Sequence, residues 1–307
     1  MGTIITITLW HDSSLQAIAH ELLLDLKKIL YTYRQRFSAQ DADAELVHLN
    51  EASGQAFQRV HPELYQLIKM GKKHSLAPDS FLNIAIGPLT KLWHIGFADA
   101  RKPALKEIKE ALALTEPKNI ELKGPNLVRL AKAGMAIDLG AVAKGYIADR
   151  LKERIEQSAI PEALINLGGN VVTVGPAKHR PDGRWHIGLQ NPKLRRHEHL
   201  LTLTLPPCSV VTSGIYERTL RQEGKIYHHI LNPKTGYPLD ETDLASLTII
   251  SQTSVVGEIW TSRLFGETSQ KAIEKIEAEP GLEGLAVTKD NIVFASKGLR
   301  DPWIISQ

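Results

Sequence analysis

The chain opens on an alternation. Thr3, Ile5, Ile7 and Leu9 are set against Ile4, Thr6 and Thr8, a period of two that predicts a strand within residues 1–10 exposed on at least one side. The period then changes. Leu15, Ile18, Leu22, Leu26 and Ile29 recur at helical spacing and predict a helix over 13–33 with one apolar stripe. Shorter helices are predicted over 43–50 and 62–74, the second opened by Pro62, which suits a first turn, and a weaker one over 108–113. Residues 120–122 and 127–130 read as a hairpin around Lys123-Gly-Pro-Asn126. An apolar strand ending at Met135, Ile137 and Leu139 then runs into Gly140 and an Ala-rich helix beginning near Ala141.

Beyond that helix the segments shorten. Strands are predicted at 163–166, 171–174, 185–189, 200–205, 209–212, 225–231 and 246–251, separated by glycine, proline and asparagine. Helices over 255–265 and 269–278 follow, then a closing hairpin through Val287 and Val293. Strands and helices mix without regular βαβ alternation. The fold class is therefore α+β, an antiparallel-rich sheet with packed helices, with residues 1–307 as one domain.

Composition adds exclusions. With 43% hydrophobic and 23% charged residues over 307 positions, the chain has the make-up of a soluble globular protein. A net charge of +3, with basic and acidic residues interleaved, gives no case for nucleic acid. The lone Cys208 excludes an internal disulfide and a CxxC knuckle, and its setting in Leu-Pro-Pro-Cys-Ser-Val-Val reads as a small buried hydrophobe. No apolar run approaches the roughly 18 residues of a membrane span. Residues 1–10 lack the features of a signal peptide, so a cytoplasmic location is expected, with a trimmed lipoprotein leader left open.

The strand–Gly–helix junction at Asp138-Leu-Gly-Ala-Val-Ala-Lys-Gly-Tyr-Ile-Ala-Asp149 is the first candidate for chemistry. A helix start offers unpaired N–H groups and partial positive charge, and Lys144 adds a full charge, a combination suited to phosphate. Asn166-Leu-Gly-Gly-Asn170 reads equally as a ligand approach or a plain hairpin turn. In Tyr227-His-His-Ile-Leu, strand geometry sends His228 and His229 to opposite faces. Ile226, His228 and Ile230 form what resembles a core face, which leaves Tyr227 and His229 for a site; histidine suits proton transfer near neutral pH. In the helix from Val255 to Phe265, Glu258 and Ser262 share a face and both can offer oxygen to a hard cation, but taken alone Glu258 reads as a solvated helix residue.

In their order along the chain, the segments resemble the FAD:protein FMN transferases of the ApbE family. The resemblance is carried by Met1-Gly-Thr3, Arg36-Phe-Ser38, Glu45-Leu46 with Asn50, Gly87-Pro-Leu89, Asp138 to Tyr146, Asn166 to Asn170, Thr212 to Arg218 and His229 to Pro238. It implies an enzyme that binds FAD with Mg²⁺ and transfers FMN to a threonine or serine hydroxyl of a flavoprotein, releasing AMP. The implied acceptor carries a Ser/Thr-Gly-Ala-Ser/Thr motif after an acidic residue; that motif is absent here, so the chain resembles the modifier and not its target.

By position, the resemblance assigns Met1, Ser38, Ser80, Phe81, Leu82, Asp138 and Lys144 to FAD, the Ala141 carbonyl, Glu258 and Ser262 to the metal, and His229 to the role of general base. Three positions depart from the family pattern: Glu258 stands for the usual Asp, Ser262 for Thr, and Asn232 for an Asp near the His229-Ile230 pair. A Mg²⁺-dependent FAD pyrophosphatase and a non-catalytic flavin-binding protein are the alternatives on the same scaffold.

Overall fold

The computed structural model describes residues 3–195, 198–299 and 304–306. In chain order the helices are α1 Gln16–Phe37, α2 Glu45–Glu51, α3 Pro62–Ser75, α4 Gly87–Trp93, α5 Leu105–Leu112, α6 Ala143–Glu156, α7 Ser254–Leu264 and α8 Ser269–Glu277. The early strands are β1 Ile5–Trp10, β2 Gln58–Arg59, β3 Ile120–Lys123 and β4 Leu127–Leu130. Then come β5 Glu162–Leu167, β6 Asn170–Val174, β7 Trp185–Gln190, β8 His199–Leu205, β9 Ser209–Gly214, β10 Thr219–Gln222 and β11 Lys225–His228. The last strands are β12 Leu244–Ser251, β13 Glu283–Thr288, β14 Val293–Ala295 and β15 Ile304–Ser306.

The main sheet runs β1-β5-β6-β9-β12-β13-β14, and every neighbouring pair in it is antiparallel. The expected α+β class is what the chain adopts. Every residue of β12 is buried, because both sheet faces are covered. On one face Trp185, Ile187, Leu203 and Leu205 of the β15-β8-β7 sheet pack on Val210, Ile250 and Leu285. On the other, α6 and α7 lie over Ile165, Leu167 and Val172. Helices α1 to α3 extend that apolar cluster.

Several expectations need correcting. The stripe of α1 runs through Ala19, Leu22, Leu26, Tyr33 and Phe37, and Ile18 is exposed, so the helix continues four residues past its expected end at 33. Residues 135–139 bury Met135, Ile137 and Leu139 as expected but form no strand. Their backbone is instead tied to Ile84 O (2.9 Å from Asp138 N), to Gly87 N and to both amide atoms of Asn50. Helix α4 is not visible in the sequence pattern, since Gly87-Pro88 reads as a turn. The strand expected over 225–231 stops at His228 and pairs with β10 in a separate ribbon. Among the described residues no helix is long and apolar enough to cross a membrane.

Candidate active site

Helices α6 and α7 pack antiparallel, and each supplies a carboxylate to the other's first turn. Asp149 on α6 accepts from Ser254 N (2.6 Å) and Val255 N (2.9 Å) at the start of α7. Glu258 on α7 accepts from Gly145 N through Oε2 (2.6 Å) at the start of α6, and its Oε1 pairs with Lys144 Nζ. Each acid satisfies orphan amides and meets the positive end of a helix dipole. Position 145 has to be glycine for this contact. A Cβ there would sit 2.5 Å from Ser254 O and 2.6 Å from Val255 Cα.

Glu258 is only 3% exposed, which overturns the reading of a solvated helix residue. Its charge is matched by Lys144, whose Nζ also lies 3.5 Å from Gly140 O. The helix start at α6 is therefore not a free anion cradle: the Gly145 amide is spent on Glu258. Because that amide does not close a turn on the Ala141 carbonyl, it leaves this carbonyl to the loop before the helix. Ser262 lies one turn beyond Glu258 and is partly buried, while neighbouring Thr261 is fully buried and donates back to Glu258 O (3.0 Å).

Asp138 shapes the approach to α6. Its Oδ1 accepts from Gly140 N (2.7 Å), an Asx turn, and its Oδ2 accepts from Thr90 Oγ1 (2.9 Å) on α4. Thr90 carries no signal in the sequence beyond following the Gly-Pro-Leu segment. Three residues along α4, Trp93 Nε1 donates to Gly236 O (2.9 Å) in the turn after His229. One short helix thus holds the acid and the histidine loop together.

His229 follows the end of β11, with its N–H donated to Arg218 O (3.3 Å). Its Nδ1 is buried with no protein partner among the described residues. Burial pushes its pKa down to about 4, and the nearby charges of Arg218, His228 and Lys144 act in the same direction. The imidazole is neutral at pH 7. His228 points the other way, with Nε2 on Leu239 O (2.8 Å), so the two histidines separate as expected. The faces around them differ from expectation. Ile226 is 58% exposed at the ribbon, and Tyr227 packs on Trp93 (5.4 Å between ring centroids), which removes Tyr227 from the site. Asn232 uses Oδ1 to accept the Lys234 N–H (2.9 Å) and so shapes the turn.

The segment at 80–82 is stitched alongside. Phe81 N donates to Arg263 O (3.0 Å) at the end of α7, and Ser80 Oγ accepts from Leu82 N (3.2 Å). Phe81 lines a concavity of about 480 Å³ with Lys234, Lys271 and Lys275, and the Lys234 ammonium lies 5.5 Å from its ring centroid. Ser38 lines a separate concavity of about 480 Å³ with Arg34, Tyr31 and Asp41, and its Oγ accepts from Asp41 N (3.0 Å). The structure thus brings Asp138, Lys144, Ala141, Glu258 and Ser262 to one helix junction. Phe81 is joined to that junction through the end of α7, and Ser38 faces a different hollow. Met1 lies outside the described residues.

The paired glycines at 168–169 form the hairpin turn between β5 and β6, both with positive φ (62° and 101°), which only glycine adopts freely there. Cys208 is buried, and burial pushes its thiol up to about 12, so it is inert as expected.

Residues 1–286 match the ApbE family. This chain belongs to that family. It is 39% identical to an FAD:protein FMN transferase of Klebsiella pneumoniae, over 98% of this chain and 90% of that one. It is 32% identical to one from Treponema pallidum, over 93% and 82% respectively. The crystal structure of the ApbE protein from Thermotoga maritima superposes with a TM-score of 0.82 at 28% identity, covering 97% of this chain and 95% of that one. The flavin transferase ApbE from Vibrio cholerae shares the fold, with a TM-score of 0.83 at 22% identity over 98% and 96% of the two chains.

Proposed function

We propose that this ApbE-family chain is an FAD:protein FMN transferase: it moves the FMN half of FAD to a serine or threonine hydroxyl of a target flavoprotein and releases AMP. The relatives' names support the flavin donor and the protein acceptor. The observation that carries the chemistry is the junction of Lys144, Gly145 and buried Glu258, with Asp138 fixed beside it and a neutral imidazole within reach of the Lys144 charge.

The Ala141 carbonyl, the Glu258 carboxylate and the Ser262 hydroxyl are hard oxygen donors of the kind Mg²⁺ takes, few enough for it to keep several waters. The fit rests on the Gly145 amide, which fixes the carboxylate without closing a turn on Ala141, and on the one-turn spacing of Glu258 and Ser262. Bound there, Mg²⁺ would supply positive charge against the diphosphate. Lys144 sets a further positive charge against the same diphosphate. Asp138, Ser80, Phe81 and Leu82 complete the FAD surface beside the junction, and the assignment of Ser38 and Met1 to FAD rests on the family resemblance. His229 accepts the proton of the acceptor hydroxyl as that oxygen bonds to the FMN-side phosphorus. The bond from this phosphorus to the bridging oxygen breaks, and AMP leaves with that oxygen. A bound anion beside His229 favours the protonated imidazole, so the substrate itself strengthens the base.

The test is incubation with FAD, Mg²⁺ and a protein domain bearing Ser/Thr-Gly-Ala-Ser/Thr after an acidic residue. Covalent in-gel flavin fluorescence with matching AMP is expected, and its loss on adding EDTA is expected too. Free FMN with AMP and no labelled protein would make the enzyme a pyrophosphatase. FAD binding without turnover would make it a flavin-binding protein.

A further inference from the structure

Resting on this placement of the metal, we propose that Lys144 is a place-holding cation. In the metal-free enzyme its ammonium occupies the Glu258 oxygen that a divalent cation takes when FAD binds, and it then passes to the diphosphate.

The two oxygens of Glu258 are not equivalent. Oε2 is committed to the Gly145 amide at 2.6 Å, and that amide is fixed by the close packing of α6 on α7. Oε1 is the oxygen left for a cation, and Lys144 holds it. The same ammonium also faces the Gly140 carbonyl at 3.5 Å, so it sits among oxygens as a metal ion would. A carboxylate this deeply buried needs a positive partner, and until a metal arrives Lys144 supplies it. The lysine can leave. Its side chain is 29% exposed and has a flexible four-carbon stem, whereas that of Glu258 is 3% exposed and fixed.

Charge balance gives the consequence. Lys144 and Glu258 together are neutral. A divalent cation alone would add two positive charges to this neutral pair and expel the lysine with no anion to receive it. A diphosphate arriving with the metal cancels that charge and gives the ammonium a partner. Lys144 therefore opposes metal binding to the empty enzyme and favours it once the diphosphate is present, a coupling that acts equally in both directions.

The test is Mn²⁺ binding, followed by the electron paramagnetic resonance of free Mn²⁺, without flavin. K144Q is expected to bind Mn²⁺ at least about tenfold more tightly than wild type, and K144R, which keeps the charge, no more tightly than wild type. K144Q binding equally or more weakly, or K144R matching a tightened K144Q, overturns the inference. A crystal structure of the wild-type enzyme with Mn²⁺ and ADP tests it without any variant. Nζ is expected on the diphosphate, and Nζ still on Glu258 with the metal present overturns the inference. E258A separates the two levels. If E258A abolishes Mn²⁺-dependent flavin transfer while K144Q binds Mn²⁺ no better, only the lysine role fails; if E258A transfers flavin normally, the metal placement itself fails.

Discussion

Asp149 and Glu258 cap each other's helices: the acid of α6 takes the first amides of α7, and the acid of α7 takes the Gly145 amide of α6. The exchange fixes how far the two helices slide along one another, and so fixes where Lys144 and Ser262 stand.

Asp149 makes stability depend on pH. Burial raises its pKa to about 6 from an ordinary 3.8, more than its two amide donors lower it. The folded state therefore holds the proton more tightly than the unfolded chain does. The group's contribution is full below about pH 4 and declines as pH rises to about 6, by up to about 3 kcal/mol. Urea unfolding of wild type and Asp149→Asn between pH 4 and 7 should show their difference shrinking across that window. A constant difference would count against this assignment.

Gly145→Ala should loosen the junction. The added methyl meets backbone atoms of Ser254 and Val255, which cannot rotate away, so α7 must shift and the amide bond to Glu258 lengthens. A loss of roughly 2–4 kcal/mol is expected, in the range of overpacking added to a lost charged hydrogen bond. The variant should also need more Mg²⁺ for half-maximal flavin transfer. Unchanged melting temperature and metal response would show that the close approach does not matter.

His229→Asn should retain FAD, because the imidazole bonds to none of the residues proposed to hold flavin. Transfer should fall by about 10²–10⁴-fold, the usual worth of a general base. Equilibrium binding followed by flavin fluorescence, read beside labelling of an acceptor domain, gives both numbers. Full labelling activity would remove His229 from the mechanism.

The pH profile follows from the same residue. With its pKa pushed down to about 4, His229 stays neutral through mildly acidic conditions, and the base form is lost only as pH falls toward that value. kcat/KM for FAD should be nearly the same at pH 5.5 and pH 7.5. An imidazole with an ordinary pKa near 6.5 would by then have lost about 90% of its base form. A steep fall beginning near pH 6.5 would place the histidine in water.

The sequence and the structure agree where burial follows period. Strands β5, β6 and β12 and helix α7 sit within about two residues of their expected spans, because each presents an apolar face to a covered layer. Helix α4 is illegible because nothing periodic marks it; Gly87-Pro88 suits a turn as well, and it is held by partners distant in sequence at Ala136 and Gly236. Ile226 shows the reverse case, since alternation in a two-stranded ribbon assigns faces but cannot say which face is covered. In the site, Lys144 and Glu258 were legible through the order of motifs. Their pairing across 114 positions was not, nor was the part played by Thr90, because a hydroxyl on an unrecognised helix carries no pattern.

That helix has a consequence for how the protein tolerates change. Thr90 and Trp93 stand almost one turn apart, one gripping the carboxylate of Asp138 and the other the carbonyl of Gly236. The Asp138 turn and the His229 loop therefore share a common hinge pin only seven residues long. An insertion within it, or a proline beyond Pro88, would misalign both segments at once while leaving the central sheet intact, giving a folded protein with no working geometry.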